Sequence, residues 1–212
     1  MQLAIGGALI VPAAGMMAST ELERLEAERR SATLQVAHAT EAAAAVELAE
    51  AEWAAQAATY AAEFGIGVEL AEEIQAAAAA ENIEPRVAFG LVRAESSFRA
   101  MVVSPVGAVG LTQLLPSTAR WLVPGTTRSD LMQPETNLRV GFKYLRHLID
   151  QYEGDEKLAL TAYNRGPGTV AKLLRRGADP DNGYAEKVLT GSSRRHVALM
   201  NAKFGGKARR RS

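Results

Sequence analysis

PRVAFGLVRAESSF, residues 85–98, reads as one short amphipathic helix that ends in a break. Pro85 stands at a favoured first-turn position, and Ala88, Leu91, Val92 and Glu95 recur at spacings of three and four, which puts Glu95 on the apolar face. A carboxylate there is costly unless it is paired or protonated. It also sits at the end of the helix, where the negative pole of the macrodipole disfavours the ionised form. Both effects raise its pKa. Position alone leaves two readings: an acid kept protonated to donate its proton, or a Glu whose side chain reaches past the helix end to water.

Working outward, the neighbouring segments have the same helical period and are separated by turn residues. Val68 to Ala80 precedes it, and Asn137 to Tyr152 follows with Leu138, Phe142, Leu145, Leu148, Ile149 and Tyr152 on one face. Leu158 to Tyr163, Thr169 to Leu174, Tyr184 to Leu189 and Arg194 to Phe204 complete the series. Strand signals are nearly absent, so the expected class is mainly α. The break Phe64-Gly65-Ile66-Gly67 sets this region, residues 65–204, apart from what precedes it. Residues 205–212, GlyGly followed by a basic cluster, read as a disordered tail.

Residues 19–64 are rich in Ala and Glu and contain neither Pro nor Gly, a composition that favours a long helical arm. Leu25, Ala32, Ala39, Val46, Trp53 and Tyr60 recur every seventh residue, partly widened by Leu22, Val36, Ala43 and Ala57. That repeat fits a coiled-coil-like arm that pairs with itself or a partner, and equally a solvated helical spacer, because an Ala-heavy seam buries little area. Residues 1–18 carry an apolar run from Leu3 to Val11 followed by small residues. The run resembles a secretory signal, although no Lys or Arg precedes it, and it is too short to span a bilayer as a helix. An exported protein is expected. The alternative is a merely apolar N-terminus.

The whole chain has 212 residues, 48% of them hydrophobic and 23% charged, which fits a globular protein and argues against wholesale disorder. It has no cysteine, so disulfides, cysteine metal sites and cysteine acylation are excluded. Its formal charge is zero, but residues 1–82 carry 13 acidic and 3 basic side chains and residues 83–212 carry 11 acidic and 21 basic. Neutrality is thus the cancellation of −10 by +10. The basic residues are scattered, with only the tail clustered, so a nucleic-acid partner is not expected. His38, His147 and His196 show no metal-ligand spacing, and no metal or cofactor is expected.

Further motifs weigh between the two readings of Glu95. Glu95-Ser96-Ser97-Phe98 is followed by SPVGAVGLTQLLPSTA, residues 104–119, and by AYNRGPG, residues 162–168. In order and spacing these resemble the motifs of the lytic transglycosylases of the soluble-transglycosylase class, and the resemblance runs from about Ile66 to Leu189. It implies a lysozyme-like helical catalytic domain that cleaves peptidoglycan, with Glu95 as the catalytic acid. Lysozyme's own glutamate, a carboxyl held protonated by an apolar pocket, follows the same logic. The resemblance further implies that Ser104 orients substrate and acid, that Gln113 lines the cleft, and that Tyr163 hydrogen-bonds near the acid or the N-acetyl group, with Asn164 beside it. Asn137, Gly141 and Tyr144 match N-x-x-x-G-x-x-Y, where Gly141 is expected to permit close helix packing and the role of the motif is expected to be structural. Gly107 and Gly110 are expected to let the backbone approach a sugar.

There are departures from the pattern. Thr112 and Leu115 replace common methionines, which is expected to alter the apolar floor of the cleft, and Arg165 replaces a small residue. Near the C-terminal end Tyr184 aligns and is expected among the substrate-binding residues, but Pro180 stands where relatives carry a glutamate, flanked by Asp179 and Asp181, and whether either substitutes is open. No second-carboxylate motif accompanies Glu95, whereas a hydrolase ordinarily needs two. The resemblance implies a one-carboxylate route: Glu95 protonates the bridging oxygen between MurNAc and GlcNAc, the substrate's N-acetyl group stabilises the cation, and Glu95 then accepts the carbon-6 hydroxyl proton to give a 1,6-anhydro product. A goose-type-like hydrolytic lysozyme and a noncatalytic wall-binding protein are the alternatives.

Overall fold

The computed structural model describes residues 13–191, with side chains from Thr20 to Thr190. The expected leader before Ala13, the Arg194–Phe204 helix and the basic tail lie outside the described residues. Two compact units divide the chain between Trp53 and Ala54. Among the described residues there are helices and isolated bridges but no strand, and no helix is long and apolar enough to cross a membrane.

Helix α1 runs Ala13–Phe64. Within the first unit its described side chains, including the seam residues Leu22, Leu25, Val36 and Val46, are all exposed. Its helicity there rests on propensity and on i,i+3 and i,i+4 pairs such as Arg24 with Glu21 and Glu28, since its side chains there are exposed among the described residues.

The second unit begins inside α1. Ala57, Tyr60, Ala61 and Phe64 are buried, because the Tyr60 and Phe64 rings stack on Phe89 at 4.4 and 5.3 Å and Phe64 meets Phe98 edge-on at 5.4 Å. Arg86 lies over the Tyr60 ring and pairs with the buried Glu63 at 3.6 Å. The break at Gly65–Gly67 therefore ends the helix, while the globular core reaches back across it to take in the last turns of α1.

Helices α2 (Val68–Ala80), α3 (Pro85–Ser96), α4 (Pro116–Leu122), α5 (Pro134–Gln151), α6 (Glu156–Arg165), α7 (Pro167–Leu174) and α8 (Tyr184–Gly191) follow, with a 3-10 turn at Asp130–Met132. Helices α3, α4, α5 and α7 each start on a proline, whose fixed φ suits the first turn and whose missing N–H is no loss there. Glu84 and Asp155 cap α3 and α6 through side chains that accept from the Val87 and Leu158 N–H groups. These prolines and caps start α5, α6 and α7 earlier than apolar period alone suggests. Helix α4 is too short to show a period, and only Pro116 signals it.

The long α5 is the axis of the core. Its Leu138, Phe142, Leu145 and Leu148 are fully buried with Phe89 and Leu91 of α3, Ile74 of α2 and Leu160 of α6. Helix α8 crosses α3 closely, and a Cβ on Gly90 would run into the Val188 carbonyl. The contact brings Tyr184 to the end of α3.

Candidate functional site

Helix α3 stops because Ser97 and Phe98 both turn left-handed, at φ 52° and 63°, and the chain leaves the core one residue after Ser96. Glu95 is thereby half-buried in the last helical turn. Burial raises its pKa above the ordinary glutamate value, against a smaller downward pull from the Tyr184 hydroxyl and from the Lys187 cation. Tyr184, itself 7% exposed, donates to Glu95 Oε1. One turn on, Lys187 Nζ donates to the Ala94 carbonyl at 3.0 Å. Helix α8 thus holds Glu95 through a phenol on the carboxylate and an ammonium on the adjoining backbone.

Residues 98–115 are irregular and fold back on themselves through the bridges Val103 to Val109 and Val109 to Leu114. Asn137, 1% exposed at the start of α5, anchors this segment. Its Oδ1 accepts from Thr112 N and Thr112 Oγ1, both at 2.8 Å, and its Nδ2 donates to the Val109 and Leu131 carbonyls at 2.9 and 2.8 Å. Two expectations are corrected here. Gly141 gives room to Thr112 of the loop and not to another helix, and the space a Gly110 side chain would take is filled by Asn137 and not open to a sugar. Thr112 is fully buried and supports the loop, so it forms no part of the cleft floor. Leu115 does line the cleft.

The candidate residues are arranged around this anchored loop. Ser104 closes its own turn, its Oγ accepting from Ala108 N at 3.0 Å while its N–H donates to the Ala108 carbonyl at 2.9 Å. Gln113, at φ 48°, spends both amide hydrogens on the Gly110 and Val102 carbonyls at 2.9 and 3.1 Å. The Tyr163 hydroxyl donates to the Thr112 carbonyl at 2.9 Å and not to Glu95. Burial, followed by the nearby Glu95 charge, raises its pKa well above the ordinary phenol value. Its ring lies 5.3 Å from that of Tyr144. Asn164 Oδ1 accepts from Asn182 at 2.9 Å, and Arg165 donates to the Pro180 carbonyl at 2.8 Å, so the charge added by Arg165 also ties down the segment before α8.

Glu95, Ser104, Gln113, Tyr163 and Asn164 line one cleft of about 470 Å³, together with Thr118, Tyr144 and Arg165. Tyr184, expected to bind substrate, is instead buried, donates to Glu95 and is not among the lining residues. Glu95 is the only carboxylate among the described residues lining this cleft. Asp179 and Asp181 lie elsewhere, each accepting a backbone N–H two residues ahead, from Asp181 and Gly183. Their carboxylates shape the turn into α8, and neither lines the Glu95 cleft. Sequence reasoning missed Thr118 and Lys187 and gave Tyr144 only a structural part. A shared face of α5 with Asn137 was the available signal for Tyr144, and the i,i+3 spacing from Tyr184 was the signal for Lys187. Among the described residues no group of three or more His, Asp or Glu could hold a metal ion.

The family model described as the transglycosylase SLT domain matches residues 72–183. Among curated proteins, the soluble lytic murein transglycosylase of Escherichia coli K12 is 36% identical over 104 residues, which is 46% of this chain and 16% of that protein. The transglycosylase of Enterobacteria phage PRD1 is 43% identical over 95 residues, 45% of this chain and 34% of that protein. Among solved structures, the 70 kDa soluble lytic transglycosylase of Escherichia coli superposes with a TM-score of 0.53 at 28% identity, covering 60% of this chain and 24% of that one. The matched region thus spans a minor part of each of these proteins.

Proposed function

Since the chain belongs to the transglycosylase SLT domain family, we propose that it is a peptidoglycan lytic transglycosylase that cleaves the MurNAc-GlcNAc β-1,4 bond with Glu95 as its single catalytic carboxylate. The observation that carries this reading is a half-buried Glu95 with a raised pKa in a cleft that, among the described residues, holds no second carboxylate. Burial keeps the proton available for the bridging oxygen, and a lone carboxylate must act in turn as acid and base. In the first step the O–H bond of Glu95 breaks as the bridging oxygen is protonated, and the bond from that oxygen to carbon 1 of MurNAc breaks with its electron pair left on the oxygen, which departs as a hydroxyl of GlcNAc. The N-acetyl carbonyl of MurNAc then stabilises the cationic carbon. In the second step Glu95 takes the carbon-6 hydroxyl proton, and that oxygen closes the 1,6-anhydro ring with no water consumed.

The other residues have supporting parts. Tyr184 and Lys187 hold Glu95 in place and favour its ionised state, which is needed for the second step. Ser104 and Gln113 present their remaining hydrogen-bonding capacity to the sugar from an anchored loop, and Asn164 lines the same cleft. The +10 charge of residues 83–212 draws a polymer that bears carboxylates. Export to the bacterial envelope, and pairing of the α1 arm with a second copy or another helix, belong to the same reading. The exposed seam of Leu22, Leu25, Val36 and Val46 supports the pairing. Turbidity clearance of purified sacculi tests the assignment: the native chain clears them and Glu95→Gln does not. Clearance by the variant removes Glu95 from the chemistry.

A further inference from the structure

We propose that the hollow around Trp121 is a separate saccharide subsite that extends the Glu95 cleft and holds a sugar of the same glycan strand away from the bond being cleaved. It rests on the glycan-cleaving reading above. Trp121, on the short α4, is 61% exposed even though α4 is otherwise held to the core by the fully buried Ala119. Its indole meets the His147 ring at a steep angle, with centroids 5.0 Å apart at 74°. A single exposed indole is ordinary on a protein surface; what marks this one as a binding site is its place in a concavity that adjoins the Glu95 cleft.

The hollow measures about 570 Å³, and Thr118, Tyr144 and Pro167 line both it and the Glu95 cleft. A polymer seated at Glu95 can therefore continue onto Trp121 without leaving the surface. The lining chemistry selects the occupant. Ser117, Thr118 and Gln151 offer neutral hydrogen bonds around the indole, and among the described residues no Lys, Arg, Asp or Glu lines the hollow. A pyranose has this combination, with an apolar C–H face to lie on the ring and a rim of hydroxyl and amide groups to meet neutral partners. A peptide stem carries carboxylates, which would call for cations that the hollow does not provide.

The chain has two tryptophans, so Trp53→Phe leaves Trp121 as the sole indole reporter. In that background, titration with chitohexaose is expected to shift Trp121 emission, and chitotriose, too short to fill both sites, is expected to bind more weakly. Followed by isothermal titration calorimetry, because the substitution removes the indole reporter, Trp121→Ala should lower chitohexaose affinity about tenfold relative to chitotriose, the size of a lost aromatic contact, and Trp121→Phe should restore part of it. Sacculus clearance is run in parallel. If clearance persists but the two oligomers bind with the same affinity ratio in the native chain and in the Trp121→Ala variant, the subsite falls while the Glu95 reading stands. If neither clearance nor oligomer binding is seen, both fall. An emission response to a free stem peptide and not to chitohexaose overturns the saccharide assignment.

Discussion

Asn137 makes the loop that carries Ser104 and Gln113 depend on one buried side chain, and Asn137→Ala measures that dependence. Four hydrogen bonds go with the amide. Two of their partners keep another: the Thr112 hydroxyl has the Asn137 backbone carbonyl at 3.3 Å, and the Val109 carbonyl has the Leu114 N–H at 3.1 Å. The Thr112 N–H and the bond to the Leu131 carbonyl are the uncompensated losses. At about 1–3 kcal/mol for each buried group left unpaired, the cost is about 2–6 kcal/mol, a large share of a typical domain's stability. Urea denaturation followed by circular dichroism reads the loss as a lowered midpoint with unchanged slope. Sacculus clearance should fall with it even at temperatures where the variant is folded, because the Thr112 carbonyl that receives Tyr163 moves with the loop. A loss below about 1 kcal/mol, with clearance unaltered, would refute the claim that Asn137 anchors the site.

Other expectations concern the acid and the arm. Burial raises the Glu95 pKa above its ordinary value of 4.5, so the stability this group contributes is complete below that value and is lost as pH rises through the folded pKa. Glu95→Gln, neutral throughout, should therefore raise Tm near neutrality and lose that advantage in acid below the ordinary glutamate range; an equal gain at both pH values contradicts the burial argument. The Tyr184 hydroxyl pulls the Glu95 pKa down, so Tyr184→Phe should move the alkaline limb of kcat/KM to higher pH, and a shift to lower pH would argue that Glu95 is not the titrating acid. A chain beginning at Gly67 loses Tyr60 and Phe64 from the core, at about 3–5 kcal/mol for each large aromatic, and should fail to give the cooperative thermal transition that a chain beginning at Ala54 retains. Sedimentation of the full chain against the Ala54 form tests arm pairing, which a full chain that is monomeric at all concentrations excludes.

The helices were legible where an apolar stripe is long enough to show its period, as in α2 and α5, and the breaks were legible in Gly65–Gly67. The extent of the globular unit was not, because Tyr60 and Phe64 sit at ordinary seam spacing and nothing local distinguishes packing on Phe89 from packing on another arm. Glu95 on an apolar face at a helix end could be read from spacing alone. Its partner could not, since Tyr184 lies 89 residues away and depends on α8 crossing α3 at Gly90. Thr112 shows the same limit: its side chain can be placed only once α5 is laid against the loop, where Asn137 and Gly141 receive it. Trp121 offered no signal because α4, at seven residues, is too short to tell an inward face from an outward one.

In the proposed reaction one carboxylate cleaves the glycan without water. Digestion of purified peptidoglycan in water enriched in oxygen-18, followed by mass spectrometry of the soluble fragments, tests it directly. The expected products are 1,6-anhydroMurNAc ends carrying no heavy oxygen. Hydrated reducing ends that carry the label would contradict it and make the chain a hydrolase.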